Sequence, residues 1–252
     1  MRLALHAEWT KMRTVAGPLW LLLGVVASTV ALSTVATSVV NCTARGCGGD
    51  TTRLTLMGVY PGQALVAILA VRIISGEYRT GMIRATLTAV PRRATAFTAK
   101  AITLTGVVAV GGTVAVLGSV LAGRLILPDL GDQDLSLSDG PTLRAVFGTV
   151  LYLILIGLLS LGVATAVRDS ATGIGVTLGL LYIVPVISQS ISDPDGQRLL
   201  QKIAPLSAGL TIQATTDLPS LPISPWAGLS VTAGWATAAL LIGGLLLHIR
   251  DA

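Results

Sequence analysis

Ionisable residues are scarce in this chain, and the stretch Gly76 to Arg93, GEYRTGMIRATLTAVPRR, holds one glutamate and four arginines. Read as a helix, Thr80 to Val90 places Met82, Ile83, Thr86, Leu87 and Val90 along one face, with Arg84 and Thr88 opposite and Pro91 as the stop. That is an amphipathic connector of about three turns by helical geometry. It fits either anionic lipid, through its arginines, or the surface of a protein partner. Glu77 favours the protein partner, because a carboxylate beside anionic lipid is unfavourable.

Other chemistry is harder to build. A phosphate-binding loop needs a glycine-rich run ending in Gly-Lys-Ser/Thr, and the lysines Lys11, Lys100 and Lys202 follow no glycine. No HExxH helix and no Gly-x-Ser-x-Gly elbow occurs, and His6 and His248 stand near opposite ends of the chain. These patterns give the chain no catalytic residue, no metal site and no cofactor of its own. The net charge of +5 comes without basic residues interleaved with aromatics, which argues against nucleic-acid binding.

The elements that must position Gly76–Arg93 are apolar. Hydrophobic residues make up 52% of the chain and charged residues 12%, against roughly 25% charged in an average soluble domain. A bilayer span takes about 20 predominantly apolar residues. Six stretches meet or approach that length: Pro18–Val40, Leu54–Ile74, Ala99–Gly123, Leu143–Val167, Gly173–Ile191 and Trp226–Leu247. The expected fold is an all-α integral membrane protein of six transmembrane helices, a single domain over residues 1–252. An N-terminal interfacial helix precedes the first span (1–17), with Leu3, Leu5, Trp9 and Met12 towards lipid and Arg2, Glu8, Lys11 and Arg13 towards water. Residues 76–93 form the cytoplasmic connector. The outer segment 193–225, amphipathic and broken at Pro205, forms short re-entrant helices before the last span.

Lys and Arg in the short flanks set the orientation. Arg2, Lys11, Arg13, Arg79, Arg84, Arg92, Arg93, Lys100, Arg168 and Arg250 lie on one side; Arg45, Arg53, Arg124, Arg144, Arg198 and Lys202 lie on the other, diluted by aspartates. The first side is expected to be cytoplasmic, with both termini inside a cell's inner (plasma) membrane. Cys42 and Cys47 then lie outside, either paired or as two free thiols. Gly106, Gly111, Gly112 and Gly118 mark the third span for close helix packing.

GEYRTGMIRATLTAVPRRATAFTAKA resembles the first cytoplasmic loop of ABC transporter permeases of the ABC type-2 class, especially their actinobacterial members. The family pattern there is Glu-x-x-x-Gly-x-x-Arg, then Pro-x-Arg and a Lys at the next span. EWTKMRT is similar to the family's N-terminal elbow, VRDSATGIG to the loop between the fourth and fifth spans, and ISPWAGLSVTAGWATAALLIGGLLLHIRDA to the final span. The resemblance implies a half-transporter that homodimerises and docks separate ABC ATP-binding subunits, which carry the ATP and Mg. It makes residues 76–93 the coupling helix, with Glu77, Tyr78, Arg79, Gly81, Met82, Ile83, Arg84 and Leu87 facing the ATPase. It also implies a substrate path along the second and fifth spans, at Met57, Tyr60, Gln63, Tyr182, Ile187 and Gln189. The cargo expected of so apolar a path is a hydrophobic or amphipathic compound moved outward. A non-transport membrane partner of an ATPase and an ion-driven carrier are the alternative readings.

Overall fold

The computed structural model describes residues 2–14, 16–39, 50–81, 93–126 and 139–249. Among these residues the regular structure is entirely helical, and six helices are long and apolar enough to cross a membrane. The protein is a multi-pass helical membrane protein.

Helix α1 (Arg2–Thr14) leads into α2 (Ala16–Val39), the first span. The second span does not begin at Leu54 as expected. A short helix α3 (Thr51–Thr55) ends in a turn at 56–58, and α4 (Val59–Thr80) follows. The cause is a close crossing with α2. A Cβ on Gly58 would sit 1.9 Å from the Thr29 carbonyl oxygen, and the Gly58 N–H donates to Ser33 Oγ at 3.1 Å. Thr29, Ser33 and Thr37 form the buried stripe of α2, so small polar side chains replace bulk at this contact.

Helix α4 runs past the expected end of its span and stops at Gly81, whose φ of 69° is the left-handed conformation glycine adopts after a helix. A Cβ at Gly81 would meet nothing within 4 Å among the described residues, and the left-handed turn is what calls for glycine here. Residues 76–80 therefore belong to the span helix, and the rest of the expected connector, 82–92, lies outside the described residues.

Helix α5 (Arg93–Ile126) has 34 residues. At 1.5 Å per residue it reaches about 50 Å and must project beyond a hydrocarbon core of about 30 Å. Helix α6 (Gly140–Val167) is the central element, packed on α4, on α5 and most extensively on the last helix, α11 (Pro225–Ile249). Its crossing with α11 is backbone on backbone: a Cβ on Gly162 would lie 2.4 Å from the Ala239 carbonyl carbon. By contrast, the glycines of α5 meet side chains. Gly111 faces Leu22, Gly112 faces Leu153 and Gly118 faces Val30, while Gly106 faces open space.

The turn joining α6 to α7 (Ser170–Leu178) is two residues long. Arg168 takes the left-handed cap of α6, and Asp169 caps α7 by accepting from Thr172 N and Oγ1 at 2.7 and 2.8 Å. Those bonds from Thr172 hold the Asp169 carboxyl below its ordinary pKa. The fifth span continues through a π-helical turn, Gly179–Ile183, into α8 (Val184–Ser190).

The segment before the last span folds as α9 (Pro194–Ile203), α10 (Pro205–Gly209) and a 3-10 turn, Leu210–Gln213. Its two halves behave differently. Leu206, Leu210 and Ile212 are buried against α6 and α11, whereas Leu199 and Ile203 of α9 are exposed. Asp50 fastens this segment, accepting from Thr215 N and Oγ1 and from Thr216 N while it also caps α3. Arg144 adds a hydrogen bond to the Ala214 carbonyl at 2.5 Å. Cys42 and Cys47 lie outside the described residues.

Candidate functional site

At the opposite face of the bundle, four charged residues from three helices converge. Lys100 of α5 donates to both oxygens of Glu8 at 2.9 Å and to Glu77 Oε1 at 2.6 Å. Lys11 donates to Glu77 Oε1 at 2.7 Å and to Glu8 Oε1 at 3.1 Å. Each carboxylate thus bridges both ammonium groups, and the four formal charges cancel.

The cluster is interior. The Lys100 side chain is 2% exposed, that of Glu77 8% and that of Glu8 9%, while Lys11 keeps 32%. An ammonium has three donors, and Lys100 spends all three on carboxylate oxygens. Burial alone would lower the Lys11 pKa; the hydrogen bond and charge of Glu77, followed by those of Glu8, outweigh it and raise it. Glu77 Oε2 is buried and accepts no hydrogen bond among the described residues.

This arrangement corrects the expectation for α1. Glu8 faces inward, not water, while Trp9, expected towards lipid, is 49% exposed on the protein surface. Helical periodicity separates an apolar face from a polar one, but only packing shows that Glu8 turns into the bundle towards a lysine 92 residues away. Glu77 likewise pairs within the chain. Arg93 is also engaged internally, donating from Nη1 to the Leu247 carbonyl at 2.8 Å. The Arg168 guanidinium lies 5.5 Å from the centre of the Tyr78 ring, and Ser170 Oγ donates to Ser75 Oγ at 2.7 Å. The ends of α4, α5, α6, α7 and α11 at this face are therefore cross-linked by polar contacts.

The residues expected along a path divide into two sets. Gln63 is wholly buried; its Oε1 accepts from Tyr152 Oη, and its Nε2 donates to Tyr182 Oη at 3.3 Å. Tyr182, within the π-helical turn, in turn donates to the Tyr60 carbonyl. Tyr60, Gln63 and Tyr182 are thus brought together, with Tyr152 of α6 as an unexpected fourth member. Met57, Ile187 and Gln189 are exposed and join no part of this network. Tyr152 escaped the sequence reading because only packing shows which face of an apolar helix meets Gln63. Met82, Ile83, Arg84 and Leu87 lie outside the described residues.

Fold and site together define a class: a helical membrane protein whose N-terminal helix is clasped to the ends of its second and third spans by buried ion pairs. No protein-family model matches this chain, and no curated protein matches it in sequence.

Proposed function

We propose that the chain is the membrane subunit of an ATP-driven exporter, an ABC type-2 permease that moves a hydrophobic or amphipathic compound out of the cell. The observation that carries this reading is the clasp itself. EWTKMRT supplies Glu8 and Lys11, and the Gly76–Ala101 stretch supplies Glu77 and Lys100. Two of the segments that resemble the family are joined in space by their own charged residues.

The clasp brackets the proposed coupling segment. Glu77 lies just before residues 82–92 and Lys100 just after them, so a push on that segment reaches α1, α4 and α5 together. A separate ATP-binding subunit, holding ATP and Mg, would deliver that push to Met82, Ile83, Arg84 and Leu87. In this reading α1 is the interfacial elbow, α9 and α10 are the re-entrant outer helices, the permease works as a homodimer and both termini are cytoplasmic. The hydrogen-bonded set of Tyr60, Gln63, Tyr152 and Tyr182 ties the second, fourth and fifth spans to one another.

The test is co-purification of the permease with an ATP-binding subunit, followed by ATP hydrolysis in liposomes. Vanadate-sensitive hydrolysis that rises with an exported compound is expected. Ile83→Glu and Leu87→Glu should each lower subunit pull-down and compound-stimulated hydrolysis about tenfold or more, as the loss of central apolar anchors of an interface does, while leaving yield unchanged. Undiminished pull-down in both variants would remove the coupling role of this segment.

A further inference from the structure

Beside the clasp lies a partly open cavity of about 630 Å³ between α1, α2, α4 and α7. Its wall is apolar: Leu21 of α2, Leu69 and Ile73 of α4 and Ile174 of α7. Its polar lining consists of Glu8, Lys11, Arg72, Ser75, Glu77 and Ser170. The charge arithmetic singles out Arg72. Glu8, Glu77, Lys11 and Lys100 neutralise one another, and Arg72 forms no ion pair among the described residues. Glu8 and Glu77 line the cavity too, but Lys100, buried behind them, and Lys11 balance both carboxylates, which leaves the Arg72 charge beside a hydrocarbon-like wall.

We propose that this cavity binds an anionic phospholipid from the leaflet on the α1 side. The phosphodiester, with its single negative charge, sits on Arg72 and the exposed part of Lys11, and an acyl chain runs along Leu21, Ile73 and Ile174. Three features favour a lipid over a soluble anion. Arg72 belongs to a membrane span, two turns before its end, where a long side chain reaches the headgroup level. Basic pockets between transmembrane helices suit phosphate headgroups. The volume also lies within the range of ligand sites that bury most of a small molecule, and an apolar wall gives a free anion nothing. The inference requires only that the chain sits in a bilayer and is independent of any transport role. A bound lipid would bridge α1 to α7, two helices that the ion-pair clasp leaves unconnected.

The test uses the full-length protein in detergent micelles, titrated with phosphatidylglycerol, phosphatidylcholine or inorganic phosphate while thermal unfolding is followed. A ligand of the folded state raises the unfolding temperature in proportion to its affinity. Phosphatidylglycerol is expected to stabilise well beyond phosphatidylcholine, and inorganic phosphate not at all. Arg72→Gln should weaken the phosphatidylglycerol effect about tenfold or more, as the loss of a charge-assisted hydrogen bond does, with partial retention in Arg72→Lys. Arg13→Gln, on the exposed side of α1, should leave it intact. Ala171→Trp, which fills the cavity from its exposed edge, should also abolish the effect with Arg72 still present. Equal stabilisation by phosphatidylcholine, reproduction by inorganic phosphate, equal loss in Arg13→Gln, or full binding in Ala171→Trp would each overturn the proposal.

Discussion

Lys100 and Lys11 contact the same two carboxylates but in different surroundings, and that difference sets their separate importance. Lys100 is 2% exposed and makes three hydrogen bonds; its loss strands Glu8 and Glu77 in the interior. Removing one partner of a buried ion pair typically costs ~3–5 kcal/mol. Lys100→Met should therefore abolish or strongly lower the folded yield. Lys11, about one-third exposed, is partly screened by solvent, so Lys11→Met should cost far less. Thermal unfolding in micelles orders the two. The pKa of Lys11 is raised in the folded protein, so its contribution is complete below the ordinary lysine value near 10.5 and is lost as pH rises through the elevated one. The gap between wild type and Lys11→Met should stay constant from neutral pH to about pH 10 and close only above it. A gap that closes near neutral pH would mean that Lys11 is not held by the carboxylates.

Between elements, glycine spacing in the sequence points to α5, but the tightest crossings lie elsewhere. The α6–α11 contact at Gly162 has the Ala239 carbonyl carbon and oxygen 2.4 and 2.5 Å from where a Cβ would stand, and a helix backbone cannot yield as a leucine tip can. Even Gly162→Ala must push α11 away, at a cost of about 1–3 kcal/mol for overpacking. Gly106→Ala has open space before it and should leave the unfolding temperature unchanged or slightly higher. Equal behaviour of the two variants would show that α6 and α11 are not in close contact. All six spans were legible from length and hydrophobicity, because a bilayer imposes both. The helix break at 56–58, the π-helical turn at Gly179–Ile183 and the inward side of α1 were not. Each depends on a neighbour: the Thr29 carbonyl for Gly58, Tyr60 and Gln63 for Tyr182, and Lys100 for Glu8. Of the site, Glu77 stood out as a carboxylate in its own stretch, while Gln63 and Tyr182 came only with the spans that the resemblance assigns to a path; which polar residues meet is a property of helix packing.

At the scale of the molecule, the two faces of the bundle are fastened by different means. One face is joined through the Glu8–Lys11–Glu77–Lys100 clasp and by Arg93 on the Leu247 carbonyl; the other through Asp50 on Thr215 and Thr216 and Arg144 on the Ala214 carbonyl. The first side carries Arg79, Arg93 and Arg168 near its helix ends, whereas on the second Arg53, Arg124, Arg144, Arg198 and Lys202 are offset by Asp50, Asp139, Asp193, Asp195 and Asp217. Positive flanks are retained on the cytoplasmic side during insertion, so the clasp should face the cytoplasm. Single cysteines at Thr10, Asp169 and Asp195, introduced after replacing Cys42 and Cys47 by serine, test this in intact cells. Asp195→Cys, between the fifth and sixth spans, should react with an impermeant maleimide. Thr10→Cys and Asp169→Cys should react only after permeabilisation. The reverse pattern would invert the protein in the membrane. Labelling of Asp169→Cys and Asp195→Cys from the same side would mean that the fifth helix, with its π-helical turn and Pro185, does not cross.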